Sequence, residues 1–227
     1  DRVIAPYFET NCWILASKVG QECIIVDPGM AQPNLVKEIV TKVSEHNLKP
    51  VAVLITHGHL DHFFSVLPLT TQIPMRTFIT ATDRFLLTDP MGALDRNGIS
   101  QQFLNAFGAE RMKEPDEIVE LEDFATFEIA SMKITSIFAP GHTRGSVIFT
   151  VNEEQLISGD VLFAGSIGRT DLPTGSASQM KNTLRDRILT LPDDLNVLPG
   201  HGGQTTIGTE RVRNPYLQSD FLDQNGR

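Results

Sequence analysis

The fold is decided by Thr56-His57-Gly58-His59-Leu60-Asp61-His62, a segment that directly follows the apolar run Val51-Ala52-Val53-Leu54-Ile55. The apolar run is rich in β-branched residues, which is typical of a strand. Three imidazoles and one carboxylate therefore follow a strand end within six residues. Because Gly58 opens the loop, these four side chains can turn toward one point, as they could not on a regular helix or strand. We call Thr56 to His62 the histidine segment.

Three further strand candidates end in a glycine turn that presents one polar side chain. They deliver His142 after Met132 to Phe138, Asp160 after Gln155 to Ser158, and His201 after Leu195 to Leu198. In each turn the glycine lets the backbone change direction, so that the side chain leaves the strand end. We therefore expect these side chains and the histidine segment to converge at the carboxyl ends of the strands.

Five imidazoles and two carboxylates have the chemistry of a metal site. One four- or five-coordinate zinc ion cannot use seven ligands, but two metals that share a carboxylate and a water can. No cysteine is among the candidates, which favours Zn²⁺, Fe²⁺ or Mn²⁺ over a thiolate-rich structural site. We therefore predict two divalent metal ions, with zinc first and iron or manganese as alternatives, held by the following residues: His57, His59, Asp61, His62, His142, Asp160 and His201.

The rest of the pattern predicts an α/β protein whose residues 1–227 form a single domain. Strand-like runs fall into two batches, and the clear helix candidates are Asn34 to His46 and Ser178 to Leu189. This order favours two mixed sheets that pack together and are covered by helices. The less regular segment from Thr82 to Glu114 is interpreted as short helices and loop, inserted over a cleft.

Composition narrows the possible partners and the cellular setting. The net charge of −9 opposes binding to phosphate backbones and anionic membranes, so we predict neither a nucleic acid nor a membrane as partner. The longest apolar runs are far shorter than the roughly 18 residues that a membrane span needs. Cys12 and Cys23 lie in strand-like runs. We expect two buried free thiols and a cytoplasmic location.

The candidate metal ligands resemble, in identity and order, the metal motifs of the metallo-β-lactamase-fold hydrolases. The resemblance implies a four-layer αββα sandwich with the metal site at one edge. It also implies that one metal is held by His57, His59 and His142, that the second is held by Asp61, His62 and His201, and that Asp160 bridges them. Asp27, at the end of another strand, is a candidate to orient one ligand imidazole, although it could also only cap its turn.

Two segments, Ser158 to Asp171 and Pro199 to Pro215, are similar to the small glyoxalase II-like thioesterases. This similarity implies hydrolysis of a 2-hydroxyacyl thioester, such as S-lactoylglutathione, by a water shared between two cations. Asp61 is the catalytic candidate that would orient this water. Arg169 is the substrate-binding candidate, or alternatively an ion-pair partner of Asp171. Larger glyoxalase II enzymes carry a C-terminal domain with glutathione-binding residues, so the thiol carrier stays open.

Three alternatives also stay open. Persulfide dioxygenases share the fold and a Gly-Arg-Thr-Asp stretch like Gly168 to Asp171, but they use one iron. Lactonases and β-lactamases have the same fold, although zinc β-lactamases lack an acid equivalent to Asp160. A non-catalytic module with a structural metal is the third alternative, and seven ligands count against it because structural zinc sites are usually complete with four.

Overall fold

The computed structural model describes residues 1–94, 98–109 and 112–223. The strands among these residues form two six-stranded sheets. In both sheets each strand pairs with the next strand along the chain. The first sheet contains β1 (Arg2–Ile4), β2 (Asn11–Ala16), β3 (Glu22–Val26), β4 (Lys49–Leu54), β5 (Arg76–Thr80) and β6 (Ile118–Leu121). The second contains β7 (Thr126–Ile129), β8 (Met132–Phe138), β9 (Val147–Val151), β10 (Gln155–Gly159), β11 (Asn196–Pro199) and β12 (Thr205–Thr206).

The helices cover the outer faces of both sheets. They are α1 (Val36–Glu45), α2 (Leu60–Phe63), α3 (Val66–Gln72), α4 (Ala81–Arg84), α5 (Gly98–Ala106), α6 (Ala177–Thr183), α7 (Ile207–Arg213) and α8 (Ser219–Leu222). Short 3₁₀ turns occupy Phe85–Leu87, Pro90–Ala93 and Pro215–Leu217. The helix predicted from Ser178 ends as an α-helix at Thr183 and continues as one π-helical turn, Leu184–Ile188.

Three apolar clusters separate the four layers of the predicted αββα sandwich, which is confirmed. The strands are apolar on both faces because each sheet is covered on both sides. In β2, Ile14 faces the helices α1 to α3, whereas Trp13 faces the second sheet. In β9, Phe149 faces the first sheet and Ile148 faces α6 and α7. Alternate residues of one strand therefore enter different cores.

The strand directions place the predicted side chains at one edge of the sandwich. Strands β3, β4 and β5 are parallel, and β8, β10 and β11 share one direction in the second sheet. Two backbone hydrogen bonds join the sheets there, from Val147 to the Thr56 carbonyl at 2.9 Å and from Asn11 to the Gly200 carbonyl at 2.7 Å. The glycine turns of both sheets consequently open into the same cleft.

Candidate metal centre

The structure brings all seven predicted ligand residues together. Three overlapping groups each have ligand atoms within 4.8 Å of one another: His57, His59 and His142; His57, His62 and Asp160; and Asp61, His62 and His201. The first and third groups are the two sets that the family resemblance implies. The middle group connects them, so the seven residues form one continuous cluster.

Asp160 lies between the two predicted sets of ligands. Its Oδ1 atom is 3.4 Å from His62 Nε2, and its Oδ2 atom is 3.4 Å from both His142 Nε2 and His201 Nε2. Gly200 leaves room for this arrangement, because a Cβ atom there would lie 2.2 Å from Asp160 Oδ1. One carboxylate therefore reaches both halves of the cluster.

Hydrogen bonds on the far side of the imidazole rings fix their orientation. His62 Nδ1 lies 2.9 Å from Asp27 Oδ2, as the strand-end position of Asp27 predicts. His57 Nδ1 lies 3.1 Å from the Thr56 hydroxyl, which in turn donates to the same Asp27 oxygen at 2.6 Å. Because each acceptor takes a proton from Nδ1, each ring presents the lone pair of Nε2 to the cluster.

His142 is oriented in the same way by a backbone group. Its Nδ1 atom lies 2.7 Å from the carbonyl oxygen of Arg169. The loop after β10 therefore positions a candidate ligand that belongs to the loop after β8. Gly168 permits this packing, because a Cβ atom there would lie 1.9 Å from the Asp160 carbonyl oxygen and 2.9 Å from His142 Nδ1.

The arrangement of donor atoms in the cluster suits bound divalent cations better than it suits contacts among the donor atoms themselves. The Nε2 atoms of His57 and His142 face each other at 3.2 Å, as do those of His62 and His201. Two lone pairs at that distance repel unless a proton or a cation lies between them. Among the described residues, His59 Nε2 and Asp160 Oδ1 are buried without a hydrogen-bond partner. A buried polar atom without a partner destabilises the folded state unless it binds an ion or another ligand.

Electrostatics divide the cluster into two halves. Burial lowers the pKa of His59 to about 3 and that of His57 well below its usual value, and the neighbouring imidazoles add to both shifts. Burial acts in the same direction on His201, but hydrogen bonds to Asp160 and Asp61 outweigh it and raise its pKa to about 9. His57 and His59 are therefore neutral imidazoles, whereas His201 lies in a part of the cluster that is rich in carboxylate.

Asp83 is a site residue that the sequence patterns do not single out. It is fully buried and accepts hydrogen bonds from the Gly58 amide at 2.8 Å, the Gly145 amide at 2.8 Å and the Thr143 hydroxyl at 2.6 Å. It thereby joins the histidine segment to the loop that carries His142. Its position just beyond β5, at the same sheet edge, is the signal that could have found it.

A cavity of about 400 Å³ opens onto the cluster. Its polar floor contains five of the candidate ligands: His59, Asp61, His142, Asp160 and His201. Its walls are mainly apolar and come from Phe8, Leu60, Pro90, Ala93, Leu94, Phe103, Phe163, Gly168, Arg169 and Leu172. The segment from Thr82 to Glu114 supplies part of these walls, which confirms its predicted position over the cleft. Arg169 lines the cavity while its guanidinium group pairs with Asp171.

Residues 5–201 match the family model of the metallo-β-lactamase superfamily. The chain belongs to this superfamily. Its αββα fold and its His/Asp cluster are those of a fold that binds divalent metals, and superfamily membership makes the protein a metal-dependent hydrolase. Among the described residues, no helix is both long and apolar enough to cross a membrane.

Relatives of known sequence match nearly the whole chain. An uncharacterized protein of Mycobacterium tuberculosis is 40% identical over 215 residues, which cover 92% of each chain. The hydroxyacylglutathione hydrolase GloC of Haemophilus influenzae is 33% identical over 215 residues, or 93% of this chain and 94% of that protein.

Solved structures are similar over the same extent. The BLEG-1 B3 metallo-β-lactamase has a TM-score of 0.81 and 30% identity, and the match covers 96% of this chain and 98% of that one. TTHA1623 in a di-iron-bound form has a TM-score of 0.76 and 29% identity, covering 96% of this chain and all of that one.

Proposed function

We propose that this protein hydrolyses a 2-hydroxyacyl thioester, of which S-lactoylglutathione is one example, with the help of two divalent metal ions. The observation that carries the proposal is the position of Asp160 between two complete sets of ligands. The similarity to a hydroxyacylglutathione hydrolase supports the substrate class. The small-molecule thioester is the only partner that we propose.

The donor set determines how the metals would be held. His57, His59 and His142 would hold one ion, Asp61, His62 and His201 the other, and Asp160 would contact both. When bound, the two cations lower the pKa of a shared water and polarise the substrate carbonyl. Zinc suits these ligands, and so does iron, which the similar di-iron structure contains.

The protein's own residues orient the reactants. Asp61 is partly exposed to the cavity, and its Oδ2 atom accepts a hydrogen bond from the Thr10 hydroxyl at 3.2 Å. This bond helps to hold the carboxylate where it can orient the attacking water. Arg169 stands at the wall, where its guanidinium group can exchange Asp171 for a substrate carboxylate. A thiolate leaves without needing a strong acid, and none is placed for this role among the described cavity residues.

The proposed setting is cytoplasmic, with residues 1–227 acting as one domain. Cys12 and Cys23 are both free and buried in the structure, which supports a reducing compartment. One superfamily match extends from residue 5 to residue 201, which supports a single domain.

A thioester assay combined with metal analysis tests the proposal. We expect about two metal ions per chain and release of free thiol from lactoyl thioesters. Asp160→Ala should lose one metal first, because two cations then lack the anion between them, and turnover should fall by a factor of about 100 or more. Asp116→Ala removes an exposed carboxylate and is the matched control. One iron per chain with oxygen uptake, or normal turnover by Asp160→Ala, would contradict the proposal.

A second candidate function is β-lactam hydrolysis, which the similarity to the B3 enzyme favours. The apolar walls of the cavity are compatible with a bicyclic lactam. The same preparation, assayed with a penicillin and a carbapenem, decides between the two functions. Turnover of β-lactams together with inert thioesters would select this candidate.

A further inference from the structure

One wall of the cavity is the end of a continuous row of aromatic rings. Phe8 lies edge-on to Phe103, with ring centroids 5.7 Å apart, and Phe103 lies 4.9 Å from Phe107. Phe107 contacts Tyr7 at 4.9 Å and Phe64 at 6.2 Å. These five rings, which we call the aromatic row, run from the buried core at Phe64 to the cavity mouth. Only Phe8 and Phe103 line the cavity among the row's members.

Phe8 is a large apolar residue whose side chain is only partly covered by packing within the chain. It is 57% exposed, and its backbone has a φ of 65°, in the left-handed region that bulky residues avoid. Glu9 has a similar φ of 57°, so the turn sets this backbone conformation, and it leaves the Phe8 ring half in water. This ring stands over the cavity mouth, where it would become buried only when a ligand covers it.

Apart from Arg169 and the candidate metal ligands, the described side chains that line the cavity are uncharged. Arg169 is the one Lys or Arg among the described cavity residues, and its guanidinium group forms an exposed ion pair with Asp171 through contacts at 2.7 and 2.8 Å. Asp61 and Asp160 belong to the metal cluster, where bound cations would offset their negative charge. Phe163 and Leu172 also line the cavity and are apolar. The part of the cavity lined by these uncharged side chains therefore suits an uncharged, apolar group.

We propose that Phe8 and Phe103 form a subsite that binds an apolar group of about benzyl size on the substrate. The inference rests on the proposed thioester hydrolysis, because that reaction places the substrate carbonyl at the metal cluster. The apolar group then lies against the aromatic row. The subsite makes the preferred substrate a thioester with an aromatic or branched aliphatic group, attached either to the acyl part or to the thiol. A plain lactoyl group leaves the wall uncovered.

Binding of a non-reacting probe tests the subsite without any need for catalysis. The probes are S-benzyl-N-acetylcysteamine and its S-methyl counterpart, titrated by calorimetry into the metal-loaded protein. We expect the benzyl probe to bind about tenfold more tightly, because its ring covers two aromatic side chains. Phe8→Ala and Phe103→Ala should each remove most of that preference. Phe8 is exposed, so its variant remains informative if Phe103→Ala does not fold.

Phe124→Ala is the matched control. Phe124 is 56% exposed, has a φ of 56° and packs on Arg187 outside the cavity. This variant should retain the full preference for the benzyl probe. Equal binding of both probes by the unmodified protein would overturn the subsite, and so would a preference that persists unchanged in Phe8→Ala.

Hydrolysis then identifies which part of the substrate carries the apolar group. One comparison is phenyllactoyl against lactoyl on N-acetylcysteamine, and the other is lactoyl on benzyl mercaptan against lactoyl on N-acetylcysteamine. A gain in kcat/KM of about tenfold in one comparison, lost in Phe8→Ala, assigns the group to that side. No gain in either comparison overturns the inference. If no thioester is hydrolysed at all, the proposed function fails, and the binding experiment alone decides the subsite.

Discussion

Arg169 contributes to the site through two different parts of the residue. Its carbonyl oxygen orients His142, and this contact does not depend on the side chain. Its guanidinium group is 60% exposed and forms a two-pronged ion pair with Asp171. Exposed pairs of this kind contribute about 0–1 kcal/mol to stability, so the pair can be exchanged for a substrate carboxylate at little cost.

Arg169→Ala should therefore separate substrate binding from metal binding. We expect metal content to stay unchanged. KM for a carboxylate-bearing thioester should rise by the equivalent of about 1.5–3 kcal/mol, the contribution of one charged hydrogen bond. KM for a neutral thioester should hardly change. Arg144→Ala removes an equally charged, exposed residue of a neighbouring loop and should alter neither value. Equal losses on charged and neutral substrates would show instead that the side chain holds the loop in place.

Asp83 connects two loops of the fold through its side-chain carboxylate. It receives three donors from the loops that follow β4 and β8, which belong to different sheets. Burial raises the pKa of its carboxyl group, although the three hydrogen bonds oppose the shift. A carboxyl group with a raised pKa in the folded state favours folding below its ordinary pKa of 3.8 and loses that contribution as the pH rises through the raised value. The hydrogen bonds that join the two loops thus partly offset the cost of burying this carboxylate.

Removing the Asp83 carboxylate should loosen both histidine-bearing loops. Asp83→Ala leaves the buried Gly58 and Gly145 amides without this acceptor, and the Thr143 hydroxyl keeps only Ser146 as a partner, so we expect a loss of about 2 kcal/mol or more in the free energy of unfolding, and weaker metal binding. Asp83→Asn keeps an acceptor for two of the donors and should lose less. Asp89→Ala, an exposed acid nearby in the chain, is the control. Urea unfolding and metal titration of the four proteins give the answer, and unchanged metal affinity in Asp83→Ala would contradict the linking role.

Individual elements show where prediction from sequence stops. The strand ends that carry His142, Asp160 and His201 are predictable because glycine, polar residue and apolar run are neighbours in the chain. The same is true of Asp27, whose contact with His62 follows from its strand end. Asp83 and the pair Phe8 and Phe103 depend on contacts between distant segments, for which no local pattern exists. Strands β1 and β12 have three and two residues and are too short to show a period.

At the scale of the whole molecule, the site is the place where the two sheets meet. Asp27 and the histidine segment come from the first sheet, whereas His142, Asp160 and His201 come from the second. The sequence predicts both sheets from strand-like runs in two batches, and it predicts the shared edge from the direction of the strands. Trp13 of the first sheet also donates to the Pro199 carbonyl at 2.9 Å, next to His201. The segments that supply the cluster therefore also hold the two sheets together.

Metal binding should consequently be coupled to protons and to the stability of the whole chain. In the metal-free protein, nearby carboxylates overcome the effect of burial and raise the pKa of His62 and His201, the latter to about 9. Histidines with a raised pKa stabilise the folded state fully below about pH 6.5 and lose this effect as the pH rises toward 9. We expect the metal-free protein to become less stable over that range. A cation must displace the same protons, so metal affinity should instead increase with pH.

Competition with a chelator at pH 6, 7 and 8 measures this coupling. We expect zinc affinity to rise by about tenfold or more per pH unit, because at least one proton leaves for each ion bound at the carboxylate-rich half. His201→Ala removes one of these protons and should reduce the slope, whereas His46→Ala, which changes a histidine paired with Asp1 outside the cluster, should leave it unchanged. The melting temperature should fall on chelation, and the fall should be larger at pH 8 than at pH 6. As the pH rises, the metal-free protein becomes less stable while the affinity for the metal increases. A zinc affinity that is independent of pH would show that His62 and His201 carry no proton before the metal arrives.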